Sequence, residues 1–192
     1  MRPRLISCAV LVAGVLPVAG CSDAESPVAT GPLRPSAQMQ TSDFPRAGMK
    51  LKLPANMQVN RQVRPPAVLR ANLAEAFVSA YAYRRAEQLP RNARELRDAR
   101  RRLVRTTRGR DAGYRLKRSR TTEIDGARAI ELVGEQTLGR TRLRIRSLHV
   151  YRGVAEYVIE VGSPRRGFAR FDRSVTPLIE RTLNVTGRIR RG

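Results

Sequence analysis

The sequence predicts an α+β domain in which an antiparallel β-sheet packs against two main helices. Short stretches with an apolar residue at every second position are separated by Gly, Pro and Asp-Gly turn signals, a pattern typical of antiparallel strands. Two longer stretches, one in mid-chain and one near the C terminus, carry apolar residues at helical spacing. With 192 residues, of which 41% are hydrophobic, the chain has room for one such core.

Residues 1–20 predict a signal peptide that is removed on export. Arg2 and Arg4 give a short positive start, and residues 5–20 carry no charge but are too few for a membrane-spanning helix of ~20 residues. The run ends in Val18-Ala19-Gly20-Cys21, which resembles the bacterial lipobox. That resemblance implies that Cys21 is linked to diacylglycerol and becomes the N terminus. The alternative is an ordinary secretory leader cut after Ala19 or Gly20.

Residues 21–43 are expected to form a flexible tether, because they are rich in Ser, Pro, Ala and Thr and have no apolar period. The other cysteine, Cys8, lies in the leader, so we expect a mature chain without a free thiol or a disulfide. Residues 44–192 are the predicted domain. We expect it to be a monomer, held by its lipid on the extracytoplasmic face of the bacterial cell membrane.

The first half of the domain predicts three strands and a helix. Residues 49–53 alternate between apolar and polar side chains and are bounded by Gly48 and Pro54, which indicates a strand. Residues 67–73 and 76–85 predict a hairpin, although helical spacing within 67–85 leaves a helix as the alternative. A helix is expected over 92–108, because Asn92 and Glu95 form a capping-box pattern ahead of an apolar stripe.

The second half predicts two long hairpins and a final helix. Asp125-Gly126 is a strong turn signal within 114–138, and pairing outward from it places Glu123 opposite Arg128 and Arg120 opposite Glu131. The hairpin 140–163 is expected to turn at Arg152-Gly153. A β-bulge near Arg146-Ser147 would reconcile the apolar phases of its strands and would place Arg144 opposite Glu160. Apolar residues from Phe168 to Leu183 are spaced for one face of the closing helix.

This order resembles the PsbP-like α/β/α fold of small exported bacterial lipoproteins of the LpqN and DcrB kind. The matching residues are Gly48-Met49-x-Leu51-x-x-Pro54, Asp125-Gly126-x-x-Ala129 and Ile179-x-x-Thr182-Leu183. The resemblance covers residues 44–186. Met57 stands near the place where a Trp is common after the entry strand. The resemblance implies a binding or accessory role in the envelope rather than a defined catalytic centre.

Charge is the strongest feature of the composition. The chain has 38 Lys and Arg against 16 Asp and Glu, a net charge of +22, which attracts polyanions. Three of the 38 are Lys, so 35 are Arg, and their spread along the chain fits a genome-wide composition bias. The alternative is a basic site on the helix at 92–110, whose eight Arg and two acids give +6. There, Arg94, Arg97, Arg101 and Arg105 are candidates for binding anionic lipids or envelope polymers.

Constellations for catalysis are scarce in this sequence. His149 is the one His, which excludes a His-based metal cluster, and on a strand it is expected to be structural. Glu131 and Glu135, like Glu156 and Glu160, are expected to form salt bridges with Arg across strands. Aromatic residues make up 5% of the chain, so aromatic recognition platforms and nucleic-acid binding are disfavoured. We therefore expect a non-catalytic binding or accessory module without metal or cofactor. The alternative is an exported enzyme with an unrecognised carboxylate or Ser site.

Overall fold

A computed structural model describes residues 33–190 and shows two helices and two antiparallel sheets. The larger sheet has seven strands in the order β3-β4-β5-β9-β8-β7-β6, and the smaller has the order β1-β2-β10. The strands of the first half are β1 (Met39–Phe44), β2 (Met49–Pro54), β3 (Gln58–Asn60), β4 (Ala67–Leu73) and β5 (Ala76–Arg84). Helix α1 (Ala93–Arg110) follows, and then come β6 (Arg115–Ile124), β7 (Ala127–Leu138), β8 (Thr141–Arg152), β9 (Ala155–Pro164), α2 (Arg165–Thr182) and β10 (Asn184–Val185).

The two helices lie on opposite faces of the seven-stranded sheet. Helix α1 packs on β6 and β7, where Leu96 meets Ile130 and Leu132. Helix α2 packs on the other face, against β5, β8, β9 and the smaller sheet. The main core is there, with Phe171 and Ile179 of α2 fully buried against apolar side chains of β2 and β9. The predicted α+β class is confirmed, although a second small sheet joins the expected one.

The predicted hairpin over 67–85 is confirmed, and so is the mid-chain helix. The side chain of Asn92 accepts a hydrogen bond from the backbone N–H of Glu95 at 2.9 Å. The Glu95 carboxylate in turn accepts one from the backbone N–H of Arg91 at 2.7 Å. The capping pattern in the sequence therefore marks the true start of α1.

The Asp125-Gly126 turn is also confirmed. Both residues have positive φ, 51° and 67°, as the two central residues of a type I′ hairpin turn require. The predicted pairs Glu123 with Arg128 and Arg120 with Glu131 are opposite each other. This register places two acidic side chains of β7, Glu131 and Glu135, among basic neighbours on β6 and β8.

The register predicted for the second hairpin is wrong. The loop is Gly153-Val154, and the pairing runs without a bulge from Arg152 with Ala155 to Leu143 with Pro164. Arg144 is opposite Ser163, whereas Glu160 is opposite Ser147. The apolar phase changes along β8 because this central strand is buried on both faces. Leu143 and Ile145 lie on the α1 side of the sheet, and Leu148 and Val150 lie on the α2 side.

The predicted tether extends too far into the folded part. Residues 39–43 belong to β1, which pairs with β2 along its whole length and buries Ser42 completely. Leu33 also contacts the domain, since a Cβ on Gly167 would lie 2.4 Å from Leu33 Cδ2. A short edge strand with one buried small side chain carries no apolar signal, which explains the error. The leader, Cys21 and the tether up to residue 32 lie outside the described residues.

Candidate anion-binding surfaces

The arginines predicted as an anion site lie on the outer side of α1. Leu96, Ala99 and Leu103 turn toward the sheet, which leaves Arg94, Arg97, Arg101 and Arg105 exposed. Arg101 forms an ion pair with Asp98 one turn away. The structure thus places the four residues on one accessible surface. Their binding of anions stays a prediction.

A second basic surface lies on the α2 side of β6, β7 and β8, and we call it the basic sheet face. Its carboxylates are Glu131, Glu135 and Asp172, the last on α2. Its cations all lie within 4.0 Å of one of these carboxylates: Lys117, Arg118, Arg120, Arg142, Arg144, Arg146 and Arg165. Alternating side chains on adjacent strands point to one side of a sheet, which is why these groups meet.

Glu131 is the centre of the first half of the basic sheet face. Its side chain is fully buried and accepts hydrogen bonds from Arg118 at 3.1 Å, Arg120 at 2.8 Å and Arg146 at 2.5 Å. Burial alone would raise the pKa of Glu131. The three guanidinium groups more than offset that effect and hold the pKa below its usual range. Glu131 is therefore a fixed anion in the fold.

Glu135 holds the second half of the basic sheet face. Arg144 donates to its carboxylate at 2.5 Å, and Arg142 and Lys117 approach it to 3.2 and 3.7 Å. Arg165, the first residue of α2, is 3.8 Å away. The hydrogen bond from Arg144 lowers the pKa of Glu135, assisted by the neighbouring positive charges. Glu135, like Glu131, is ionised and fully engaged, so neither is poised for acid–base catalysis.

Arg146 connects the basic sheet face to α2. Its guanidinium donates to both carboxylate oxygens of Asp172, at 2.7 and 2.6 Å, in addition to its bond with Glu131. Thr176, one turn along α2, donates to Asp172 at 2.7 Å. Only 11% of the Arg146 side chain is exposed. This buried arginine fixes the helix against the strands by planar, two-pronged hydrogen bonding.

The basic sheet face has more cations than it can neutralise. Its seven cations share three carboxylates, and Glu180 of α2 lies near Arg120 and Arg146, which still leaves a charge of +3 on this surface. Arg118, Arg120, Arg142 and Lys117 are each about half exposed and keep N–H groups free for a ligand. The sequence analysis identified the acidic residues of this surface but missed its surplus of positive charge. The signal was present, since basic residues alternate along two strands that flank a strand carrying two Glu.

The opposite face of the sheet carries the single histidine. His149 Nδ1 lies 2.7 Å from Glu156 Oε1, and Arg85 Nε donates to the other oxygen of Glu156 at 2.6 Å. Burial raises the pKa of Glu156, but the hydrogen bonds from His149 and Arg85 outweigh it and the net pKa is lowered. The prediction of a salt bridge for Glu156 is therefore correct, with Arg85 as its partner, and His149 is held by a hydrogen bond to the same buried carboxylate.

Glu160 differs from the other buried carboxylates. Within residues 33–190 no cation lies in salt-bridge range of it, so the predicted Arg neighbour is absent there. Burial raises the pKa of Glu160, which the charge of His149 and a hydrogen bond with Ser147 reduce only in part. Tyrosines surround it: its charge acts on Tyr81, Tyr83 and Tyr114. Three of the five tyrosines thus lie near one buried carboxylate, which composition alone did not indicate.

Two further properties bear on function. Between residues 33 and 190, no three or more His, Cys, Asp and Glu side chains come together as a metal site would require. In the same range, neither helix has the length and apolar character needed to cross a bilayer.

No protein-family model and no curated protein matches the sequence. Solved structures of similar fold include the following three, each with a TM-score above 0.5. Cyanobacterial PsbP (CyanoP) from Synechocystis has a TM-score of 0.57 and 11% identity, covering 88% of this chain and 99% of its own. LpqN of Mycobacterium tuberculosis, described as involved in cell envelope biogenesis, has a TM-score of 0.55 and 12% identity, with 78% and 92% covered. The Ran-binding protein Mog1p of Saccharomyces cerevisiae has a TM-score of 0.54 and 6% identity, with 77% and 95% covered.

The chain has a PsbP-like fold. The resemblance noted for Gly48 to Pro54, for the Asp125-Gly126 turn and for the end of α2 is therefore confirmed at the level of architecture. Identities of 6–12% show a shared fold and no more. Function has to be argued from the surfaces of this PsbP-like chain itself.

Proposed function

We propose that this chain is a lipid-anchored, extracytoplasmic protein of the cell envelope that acts as a non-catalytic binding or accessory module for anionic lipids or envelope polymers. The observation that carries the proposal is the basic sheet face, where seven cations share three carboxylates. The sequence adds the lipobox-like Val18-Ala19-Gly20-Cys21. The similarity to LpqN, described as involved in cell envelope biogenesis, supports the compartment.

Two surfaces are proposed to bind envelope polymers. One is the basic sheet face, and the other is the α1 surface of Arg94, Arg97, Arg101 and Arg105. Both lie at the β6 end of the sheet, because α1 packs on β6 and β7. Half-exposed arginines bind carboxylate or phosphate groups through paired N–H donors, and surplus charge attracts polyanions over a distance. Association should weaken as salt rises, because the Debye length is ~10 Å at 0.1 M.

The anchoring is tested by intact mass. The membrane fraction should contain a chain that begins at an acylated Cys21, and Cys21→Ser should release the protein in soluble form. A wild-type protein recovered free of membranes and without acyl mass would contradict the anchor.

Polymer binding is tested with poly-L-glutamate as the probe and the full Cys21→Ser chain. Exchange of Lys117, Arg118, Arg120 and Arg142 for Gln should weaken binding about 1,000-fold, since each of the four cations contributes about 1 kcal/mol near an anionic surface. A second variant exchanges Arg94, Arg97, Arg101 and Arg105. The control removes four exposed arginines elsewhere: Arg46, Arg64, Arg188 and Arg190. Equal losses in all three would show bulk charge and no site.

The exported-enzyme alternative has one observation in its favour. Glu160 is a largely buried carboxyl group whose pKa is raised by burial, and the charge of His149 acts on it. Hydrolysis of a simple ester that is lost in both Glu160→Gln and His149→Gln would support that alternative. Retention of activity in both variants would exclude this site.

A further inference from the structure

Helix α2 has a basic outer stripe that the basic sheet face does not include. Its apolar residues Phe168, Phe171 and Val175 turn toward the core and are buried. Arg166, Arg170 and Arg173 follow one another at spacings of four and three residues, so they share the opposite side of the helix and are exposed. In the described chain none of the three forms an ion pair with a carboxylate.

The start of the described chain meets this stripe. Leu33 packs on α2 at Gly167, where a Cβ would lie 2.4 Å from its side chain. Next to it, Arg34 completes a cavity of about 580 Å³ with Arg166, Arg170 and Arg173. The remaining residues of the lining are Leu33, Gly167 and Ala169, and none is acidic. Four arginines thus surround an open space without a neutralising group in its lining.

We infer that this α2 surface, made of Arg34, Arg166, Arg170 and Arg173, is the side of the domain that rests on the anionic phospholipid headgroups of the membrane. The inference deepens the proposed function and rests on the lipid anchor at Cys21. From Cys21 to Leu33 there are 12 residues, which can span at most about 40 Å even when fully extended. The anchor therefore holds Leu33, and with it the start of α2, within about 40 Å of the bilayer, where the four guanidinium groups can meet phosphates.

The orientation has a consequence for α1. Because α1 lies on the other face of the seven-stranded sheet, a sheet layer and two helix layers of about 10 Å each separate its arginines from a bilayer at α2. That distance exceeds the Debye length of ~10 Å at 0.1 M salt. The arginines of α1 thus face away from the membrane and are available to soluble polymers.

The test compares two matched sets of helix arginines in the mature chain, residues 21–192, carrying Cys21→Ser. One variant exchanges Arg166, Arg170 and Arg173 for Gln, and the other exchanges Arg94, Arg97 and Arg105. All six are exposed helix residues outside the ion pairs of the described chain. Binding to vesicles of phosphatidylglycerol and phosphatidylcholine should fall about 100-fold for the α2 set and less than about five-fold for the α1 set.

Equal losses for the two sets, or no loss for the α2 set, would overturn the inference. Vesicles of pure phosphatidylcholine should bind neither variant nor the chain that keeps all six arginines. If that chain binds them as well as it binds vesicles with phosphatidylglycerol, the inference is also overturned. The outcome is independent of the anchor, because the vesicle assay uses chains without Cys21. The acyl mass of the wild-type protein decides the anchor separately, so the two failures are distinguishable.

A second measurement reports orientation directly. A fluorophore on Ser174→Cys of α2 should be quenched by headgroup spin-labelled lipid more strongly than one on Thr106→Cys of α1, both in the chain without Cys8 and Cys21. Both positions are exposed, so labelling should leave the core intact. Stronger quenching at position 106, or equal quenching, would contradict the proposed orientation.

Discussion

Arg146 shows at the scale of one residue how the arginine surplus is built into the fold. It is the most buried cation of the basic sheet face, with 11% of its side chain exposed, and it touches both Glu131 and Asp172. Removing one partner of a buried ionic network leaves the others desolvated and uncompensated. The exposed arginines around Glu131 can be lost at much lower cost, since water replaces them.

Arg146→Ala should therefore destabilise the domain by about 3 kcal/mol, measured by urea unfolding. Arg146→Lys should recover part of this loss, because an ammonium keeps the charge but cannot form the paired bonds to Asp172. Arg118→Ala, which removes a half-exposed partner of the same Glu131, is the matched control and should cost less than about 1 kcal/mol. Similar costs for positions 146 and 118 would contradict the role assigned to Arg146.

At the scale of single elements, what could be predicted depended on whether a signal was local. The cap of α1 and the Asp125-Gly126 turn are set by adjacent residues, so the sequence was sufficient. Strand β8 is buried on both faces by different partners, and its alternation therefore suggested a bulge that does not exist. The basic sheet face depends on three strands and a helix meeting, which no local pattern in the sequence states.

The turn between β6 and β7 is also hydrogen-bonded to β10, near the C-terminal end of the described chain. The Asp125 carboxylate accepts hydrogen bonds from Arg152 at 2.6 Å and from the backbone N–H of Val185 at 3.2 Å. Asp125→Ala removes these contacts. It also leaves at positive φ a residue whose side chain cannot form the local hydrogen bonds that make this conformation tolerable for Asp. We expect a loss of about 2 kcal/mol in urea unfolding, of which the backbone conformation accounts for about 1.

Asp125→Asn is the control for that substitution. Asparagine tolerates positive φ, and its side-chain oxygen can still accept from Val185, so the cost should be less than half that of Ala. An Asn variant as unstable as the Ala variant would mean that the ion pair between Asp125 and Arg152, and not the backbone conformation, sets the stability of the turn.

At the scale of the whole molecule, the two faces of the large sheet differ in chemistry. The α2 side carries the surplus of arginine around Glu131 and Glu135, and the α1 side carries Glu156, Glu160 and most of the tyrosines. Three of these four carboxyl groups, Glu131, Glu135 and Glu156, have lowered pKa values in the fold. Their stabilising contribution is complete above the pKa of the unfolded chain and is lost as pH falls through the lower folded values.

The domain should therefore lose stability as the pH drops below about 4.5, the ordinary value for these groups. Glu160 acts in the opposite sense, because its pKa is raised and its contribution declines as pH increases. Glu135→Gln should lower stability at pH 7 and reduce the loss of stability in acid, whereas Glu160→Gln should raise stability at pH 7. Thermal unfolding from pH 2 to 8 measures both effects. If Glu135→Gln loses as much stability in acid as the wild-type protein, the lowered pKa of Glu135 is contradicted.

The ends of the large sheet give the arginines another consequence. Open strand edges can pair with neighbouring molecules and start aggregation, and proteins suppress this with charged or very short edge strands. Strand β6, at one edge, carries Arg115, Lys117, Arg118 and Arg120, and β3, at the other, has only three residues. Neighbouring copies of the domain would thus repel each other edge to edge. We expect this charged edge strand to disfavour strand pairing between copies, whether or not its arginines also bind a ligand.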